Sequence, residues 1–413
     1  MRTLFVAAII AIAATSADST PSRHKLLVVS IDGLDWRYVR DADRLKLKIP
    51  NVRKLLAHSQ YADGVIGVWP SITWPSHTAI ITGARPDQSG ILNNGRGKLD
   101  PALSYWSANK LRVPTLWQCA GELGLTTAAV TWPVTMDAKI TWNLPEVFLR
   151  RNGGSMDLES ISKFATPGLV DEIGNTYPSF SQQWVDDRTR TLATLFLLKH
   201  KKPDLILIHL VDLDSEAHDQ GPFGANANAI LEHTDELLGE MLKALPKTYD
   251  FALVSDHGFE RIDHIANMKA EAIAAGQIGD IEPMGGIVAT KDSEMANWLR
   301  NQSGENGSDI GREIPRAELL RYAPQLGDTV AAFEPAEHVL FFGGEASGPT
   351  HTTPPERGDH GFWPLRHDYR SVFLLTGPGV KVGNLGPVEM TSLEGRLAIP
   401  LGLKCPQPGQ RPS

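Results

Sequence analysis

The stretch KLLVVSIDGL, Lys25 to Leu34, decides how the chain is read. Its apolar run is short, interrupted only by Ser30 and rich in branched residues, as in a strand buried on both faces, and it stops at Asp32-Gly33. The same grammar recurs. DLILIHLVDLDSEAH, Asp204 to His218, passes from apolar residues into acidic ones and a His, and DFALVSDHGF, Asp250 to Phe259, ends in Asp256-His257-Gly258. TAAVTWP from Thr127 and RSVFLLTGPG from Arg370 read as two further strands. Between them lie helical patterns: TAIITG from Thr78, PTLWQCAGELG from Pro114, VDDRTRTLATLFLLKH from Val185 and NAILEHTDELLGEMLKAL from Asn228. Strands alternating with helices predict an α/β fold with a largely parallel central sheet and helices on both faces. In such sheets ligands gather beyond the carboxyl ends of the strands, which is where the polar residues collect here.

Two stretches break the alternation. Residues 147–177 read as an irregular insertion with a helix, and residues 260–344 mix short strands with the loop NQSGENGSDIG and the helix RAELLRYA. The expected organisation is a core over 24–259 and 345–402, a smaller inserted α+β subdomain over 260–344, and a flexible tail over 403–413. The N-terminus, MRTLFVAAIIAIAATSADST, has one Arg before an apolar run too short for a bilayer. It reads as a signal peptide over 1–17, which implies a secreted or periplasmic protein with no stable membrane span after cleavage. Cys119 and Cys405 are the only cysteines, and they can pair in an oxidising compartment without making a disulfide framework. NQS and NGS, at Asn301 and Asn306, are glycosylation-like sequons. With 413 residues and 42% hydrophobic content the chain supports a large core. A net charge of −8 with no basic stripe argues against a nucleic-acid-binding module.

The polar residues at strand ends are Asp32, Asp214, His218, Asp256, His257 and His360, and Thr73 joins them from VWPSITWPSHTAIITGARPDQSGILNN, Val68 to Asn94. Singly they are weak signals. A strand-end Asp is usually a turn former, a lone His is usually a surface or core residue, and Ser or Thr before a helix is usually a cap. Asp214 and His218 are four apart, which places both on one face of a helical turn. Carboxylates and imidazoles together suit zinc or another divalent transition metal, and seven candidates exceed one tetrahedral site but divide into two that share a phosphate.

SIDGL, PSITWPSHTAIITGARPDQSGILNN, DLDSEAHDQGP, VSDHGF and GDHGFWP, in this order over roughly residues 25–375, resemble the type I phosphodiesterase and nucleotide pyrophosphatase family of the alkaline phosphatase superfamily. The resemblance implies two Zn2+ per chain. One ion would take Asp32, Thr73, Asp256 and His257, and the other Asp214, His218 and His360. Thr73 matches the family's nucleophile, passing through a phosphothreonine, and Asn94 matches the residue that holds the phosphoryl oxygen. Ser71 and Ser76 then read as elbow and capping residues, and His77 as structural. Ser76 stands where the family commonly has Asn, and the residues after TWPVTMD also differ, so the substrate stays open among nucleotide sugars, dinucleotides, cyclic nucleotides and phospholipid head groups. Oligomeric state is not legible.

Three alternatives stand beside this reading. A phosphomonoesterase on the same two-metal site would carry a Lys and Arg pair in TWPVTMDAKITW, but this segment, Thr131 to Trp142, has only Lys139. A sulfatase would need Cys or Ser followed by Pro and Arg, which is absent. A catalytically inactive secreted binding protein would have no reason to keep every ligand position filled. A small phosphodiester or nucleotide-type substrate is the expected partner.

Overall fold

The computed structural model describes residues 23–95, 105–152, 155–284, 286–304, 307–341 and 343–406. The signal peptide, the sequon Asn306 and the end of the tail lie outside the described residues.

Eight strands form the central sheet: β1 (Lys25–Ile31), β2 (Gln60–Tyr61), β3 (Thr127–Val130), β4 (Trp142–Leu144), β5 (Leu205–Leu210), β6 (Tyr249–Val254), β7 (Phe373–Thr376) and β8 (Gly383–Asn384). Their spatial order is β8-β2-β7-β6-β1-β5-β3-β4. From β6 to β4 every neighbouring pair is parallel, with β1 between β5 and β6, where Val29 faces Ile208 on one side and Leu253 on the other. β7 runs antiparallel to both of its neighbours, β6 and β2, and β8 is parallel to β2. The α/β fold with a largely parallel sheet is therefore observed, with one reversed strand inside it.

The alternation along β1 explains the two helical layers. Leu27, Val29 and Ile31 face one core and Leu26 and Val28 the other, all fully buried. Helices α1 (Thr73–Thr82), α2 (Leu116–Glu122), α3 (Asp187–Phe196), α4 (Asp212–Gln220), α5 (Ala225–Ala244), α6 (Ser293–Gln302) and α7 (Leu393–Ala398) have these bounds. On the first face lie Leu192 and Phe196 of α3 with Leu231, Leu238 and Met241 of α5. Ile80 of α1, Trp117 of α2 and Leu397 of α7 lie on the second. Each such side chain contributes about 1.5–3 kcal/mol by leaving water. Local signals set the helix ends. Thr115 and Gln118 form a capping box on α2, the Asp186 carboxylate caps α3, and Gly83 closes α1 at φ 65°, where a side chain would be strained.

The segment that read as an irregular insertion contributes the strands Arg151–Asn152 and Ser155–Asp157 to a three-stranded sheet completed by Trp184–Val185 beyond it, and its Met156, Ile161, Leu169 and Ile173 join the first core. A second unit opens where Glu260–Arg261 pairs with Gly358–Asp359. Between these paired ends the chain builds a four-stranded antiparallel sheet, ordered Glu282–Met284, Ile287–Thr290, Ala331–Pro335, Ile310–Glu313, and α6 packs on it through Met295, Ala296 and Leu299. His264–Ala266 lies between Val339–Phe341 and His351–Thr352 in a separate small sheet of this unit. Cys119 of α2 and Cys405 form a disulfide across 286 residues of chain, tying the C-terminal segment to the second core.

Candidate active site

The carboxyl ends of β1, β5 and β6 lie side by side, and each hands the chain to a metal-type ligand. Asp32 follows β1 directly, and Gly33 after it has φ 66° with the Phe259 ring 2.9 Å from where a Cβ would sit. The tight turn lets the Gly33 N–H donate to Asp256 Oδ1 at 3.2 Å. Asp256 and His257 follow β6, and α4 after β5 carries Asp214 and His218, whose Oδ1 and Nε2 lie 3.6 Å apart. His360 enters just after the Gly358–Asp359 strand and stacks on His257, with ring centroids 3.7 Å apart.

These residues form three overlapping groups, in each of which the ligand atoms fall within 4.8 Å of one another: Asp32 with Asp256 and His257, Asp214 with His257 and His360, and His218 with Asp359 and His360. All six sequence-read Asp and His candidates are thus brought together. The geometry does not separate them into two independent sets, since His257 touches both, and Asp359 enters as a seventh acidic or imidazole group. His257 Nε2 is 3.2 Å from Asp32 Oδ1 and 3.1 Å from Asp256 Oδ2.

The donor chemistry fits divalent cations. Asp32 Oδ1, Asp214 Oδ1, Asp256 Oδ2, His257 Nε2 and His360 Nδ1 are buried and make no well-aligned hydrogen bond within the protein, and His257 Nε2 meets the two carboxylate oxygens of Asp32 and Asp256 only as ion-pair contacts. Burial without a partner is costly for such groups, and a cation removes the cost. His218 Nδ1 donates to the Gly358 carbonyl at 3.0 Å and His257 Nδ1 to the Gly258 carbonyl at 3.1 Å. A second-nitrogen bond of this kind fixes the tautomer and leaves Nε2 as a ligand. Electrostatics point the same way. Burial, with Asp32 close by, pushes the carboxyls of Asp214 and Asp256 up to about 7 and about 6. Burial also opposes charge on His218, yet Asp214 and Glu356 outweigh it and carry that imidazole up to about 10, while burial and the neighbouring imidazoles hold His360 well below its ordinary value.

Thr73 is the first residue of α1, half-buried, after an elbow whose Trp69–Pro70 peptide is cis. Its carbonyl accepts from His77 Nδ1 at 2.9 Å, so His77 Nε2 accepts from the Ser30 hydroxyl at 2.8 Å. The His77 ring also stands 3.5 Å from Asp256 Oδ2, which ties the elbow to the carboxylate group. The capping expectation for Ser71 and Ser76 is corrected. The N-cap position is Ile72, with no side-chain cap, and both serine hydroxyls are buried and unpartnered. Asn94 takes that role from outside the helix, its Oδ1 accepting from the Trp74 N–H at 2.8 Å. With that oxygen engaged, Asn94 has its amide donors to offer an anion. Asn94→Ala is expected to lower kcat about 10²-fold on a diester, read by steady-state kinetics, as loss of one oxyanion donor does.

Two residues escaped the sequence reading. His209, in the middle of β5, sends Nε2 to Asp32 Oδ2 at 2.8 Å and Nδ1 to Glu146 Oε2 at 2.9 Å. Glu146 Oε1 accepts from the Trp74 indole at 2.6 Å, so one buried chain of bonds runs from Asp32 to the elbow. Burial lowers the His209 pKa, but the two carboxylates override it and raise it to about 10. Asp32 is likewise pushed up by burial, yet His209 and His257 hold it well below the usual carboxylate range. The signal for His209 was a polar side chain inside LILIHL, where an unpaired imidazole would be costly. Glu146 left no such mark. His209→Leu strands two buried carboxylates and is expected to cost about 3–5 kcal/mol in denaturant-induced unfolding; a change under about 1 kcal/mol would contradict the linkage.

Similarity to known proteins runs along most of the chain. The profile of the family described as type I phosphodiesterase / nucleotide pyrophosphatase matches residues 26–363. The chain is 26% identical over 271 residues to venom phosphodiesterase 2 of Crotalus adamanteus, covering 62% of this chain and 30% of that protein. It is 24% identical over 247 residues to human ectonucleotide pyrophosphatase/phosphodiesterase family member 1, covering 57% of this chain and 23% of that protein. The match therefore spans under a third of these relatives' length. A solved structure of murine ectonucleotide pyrophosphatase / phosphodiesterase 5, in an inactive form in complex with AMP, superposes with a TM-score of 0.65 at 18% identity over 94% of this chain and 97% of that one. The human protein of the same name gives a TM-score of 0.62. The fold is thus that of the alkaline phosphatase-like neighbours.

Proposed function

The chain belongs to the type I phosphodiesterase / nucleotide pyrophosphatase family, and from that membership we propose that it is a metal-dependent hydrolase of small phosphodiesters or pyrophosphates of the nucleotide type, acting through Thr73. The observation that carries the reading is the convergence of buried ligand atoms from Asp32, Asp214, Asp256, His257 and His360 beyond three parallel strand ends. The AMP held by the murine relative supports a nucleotide-type substrate.

Two zinc ions, one held by Asp32, Thr73, Asp256 and His257 and the other by Asp214, His218 and His360, would supply the positive charge that acidifies a hydroxyl and offsets the charge on phosphoryl oxygens. The Thr73 hydroxyl, deprotonated, attacks phosphorus in line with the leaving oxygen. A P–O bond to Thr73 forms as the bond to the leaving alcohol or phosphate breaks. The Asn94 amide and the Thr73 N–H at the start of α1 donate where charge builds on the phosphoryl oxygens, aided by the positive end of the helix dipole. Water then displaces Thr73 and restores the enzyme. His209 and Glu146 are positioning residues, holding Asp32 in one orientation, and His77 holds the Thr73 carbonyl. The 260–344 unit and the segment after Val147 are proposed to shape the pocket for the second substituent on phosphorus.

A secreted or periplasmic location is part of the proposal, supported by the Cys119–Cys405 disulfide, which persists in oxidising compartments. No helix among the described residues is long and apolar enough to cross a membrane. The test is turnover of a nitrophenyl diester by purified chain before and after chelation. Activity is expected to vanish with the metal and return with zinc, and His218→Ala or His360→Ala is expected to lose one ion while the other stays bound. Full activity in metal-free protein would sink the reading.

A further inference from the structure

A second cluster of ligand-type side chains lies in the inserted unit, and none of the catalytic candidates takes part in it. His264, Asp309 and His351 bring their ligand atoms within 4.8 Å of one another. They come from separate places in the chain. His264 opens the strand His264–Ala266, and the antiparallel partner strand sets His351 opposite Ala266, so His264 and His351 are diagonal neighbours on one face. Their rings stand 5.2 Å apart. Asp309 precedes the strand Ile310–Glu313 and is anchored by its carbonyl, which accepts from the Ala336 N–H at 2.8 Å. Its two carboxylate oxygens divide between the rings, Oδ1 at 2.7 Å from His264 Nε2 and Oδ2 at 2.6 Å from His351 Nε2.

A second carboxylate stands beside the cluster. Glu271, on the helix Met268–Ala274, places Oε1 3.7 Å from His351 Nε2, and that oxygen is buried with no hydrogen-bond partner. Glu271 Oε1 and Asp309 Oδ2 both stand beside His351 Nε2, at 3.7 and 2.6 Å. Two carboxylates facing one point repel unless a proton or a cation lies between them. His351 Nδ1 is engaged by the Thr350 hydroxyl at 3.1 Å, which turns Nε2 inward, the arrangement that orients a ligating imidazole. The His351 side chain is 52% exposed, so the cluster is open to ions from solution.

We propose that His264, Glu271, Asp309 and His351 bind a third divalent transition cation, of the zinc type, in the inserted unit. Two imidazoles and two carboxylates make a donor set for such an ion. Bound there, the ion would staple the small sheet, the helix that follows it and the start of the Ile310–Glu313 strand, and so hold the unit's segments together.

The test uses the full chain, stripped with chelator and titrated with Zn2+, with metal content read by elemental analysis and the midpoint of thermal unfolding followed at each step. Wild type is expected to take up three ions, and His264→Ala and His351→Ala two each. The affinity lost at this site should exceed the roughly 10–100-fold that loss of an outer-shell partner causes. In His218→Ala, deficient at the catalytic cluster, a zinc-dependent rise in the unfolding midpoint should survive, and it should vanish when His351→Ala is added. His351 is half-exposed, so its replacement tests the site without emptying a core; Glu271→Gln tests it a second time. Wild-type uptake unchanged by both His351→Ala and Glu271→Gln would overturn the proposal. A chain that loses an ion with His351→Ala but none with His218→Ala would overturn the catalytic two-metal reading and keep this one.

Discussion

Thr73→Ala is expected to lose about 10⁴–10⁶-fold in kcat on a diester, the range seen when a covalent nucleophile is removed, while the protein stays folded. The structural reason is specific. Thr73 is the first residue of α1 rather than its cap, since the cap position belongs to Ile72 and the Trp74 N–H is satisfied by Asn94. Removing the hydroxyl therefore costs the helix little, and Ala is a good helix former. Thr73→Ser keeps a hydroxyl at the same point and is expected to retain measurable turnover. The neighbouring hydroxyls are poor substitutes, because Ser71 is 1% and Ser76 0% exposed. Near-wild-type activity in Thr73→Ala would move the reaction to direct attack by water.

Diesters are expected to outrun monoesters by several decades in kcat/KM. A diester phosphate carries one charge and a monoester up to two, and each charge-assisted contact to an oxyanion is worth about 1.5–3 kcal/mol, or roughly one to two decades in rate. The segment from Thr131 to Trp142, where monoesterases of this superfamily are expected to carry a cationic pair, instead buries Trp132 edge-on against His77, with ring centroids 4.9 Å apart. Lys139, the one cation in that segment, is exposed. Among the described residues, none of the side-chain hydrogen bonds or ion pairs made by Asp32, Asp214, His218, Asp256, His257 and His360 goes to a Lys or Arg side chain. The measurement is kcat/KM for a nitrophenyl monoester against a nucleotidyl nitrophenyl diester at one pH. A monoester rate equal to the diester rate would mean another cation meets the extra charge, and the named reaction would fall while the family assignment stood.

Much of this was legible in the chain because strands buried on both faces leave nearly continuous apolar runs. β1, β5 and β6 announce themselves, and the carboxylate or imidazole after each marks the end where ligands gather. What stayed hidden depends on contacts distant in sequence. Nothing in RSVFLLTGPG says that β7 runs against its neighbours, since a doubly buried strand reads alike in either direction. β2 and β8 are two-residue pairings with no pattern of their own. Ser71 and Ser76 looked like caps by composition, yet the cap came from Asn94, 20 residues beyond Trp74. The grouping of ligands was legible only as a set. Their sharing of His257, the entry of Asp359 and the Glu146–His209–Asp32 chain arise from where three strand ends and a returning loop meet in space.

The central claim is that Thr73 carries the phosphoryl group. The most direct measurement is rapid acid quench of the zinc-loaded protein turning over a nitrophenyl diester, followed by mass analysis of the peptide that holds Thr73. A phosphoryl adduct on Thr73 in wild type, absent from Thr73→Ala, is the predicted result. No adduct under conditions where nitrophenol release shows a burst, or an adduct on any other residue, would contradict it.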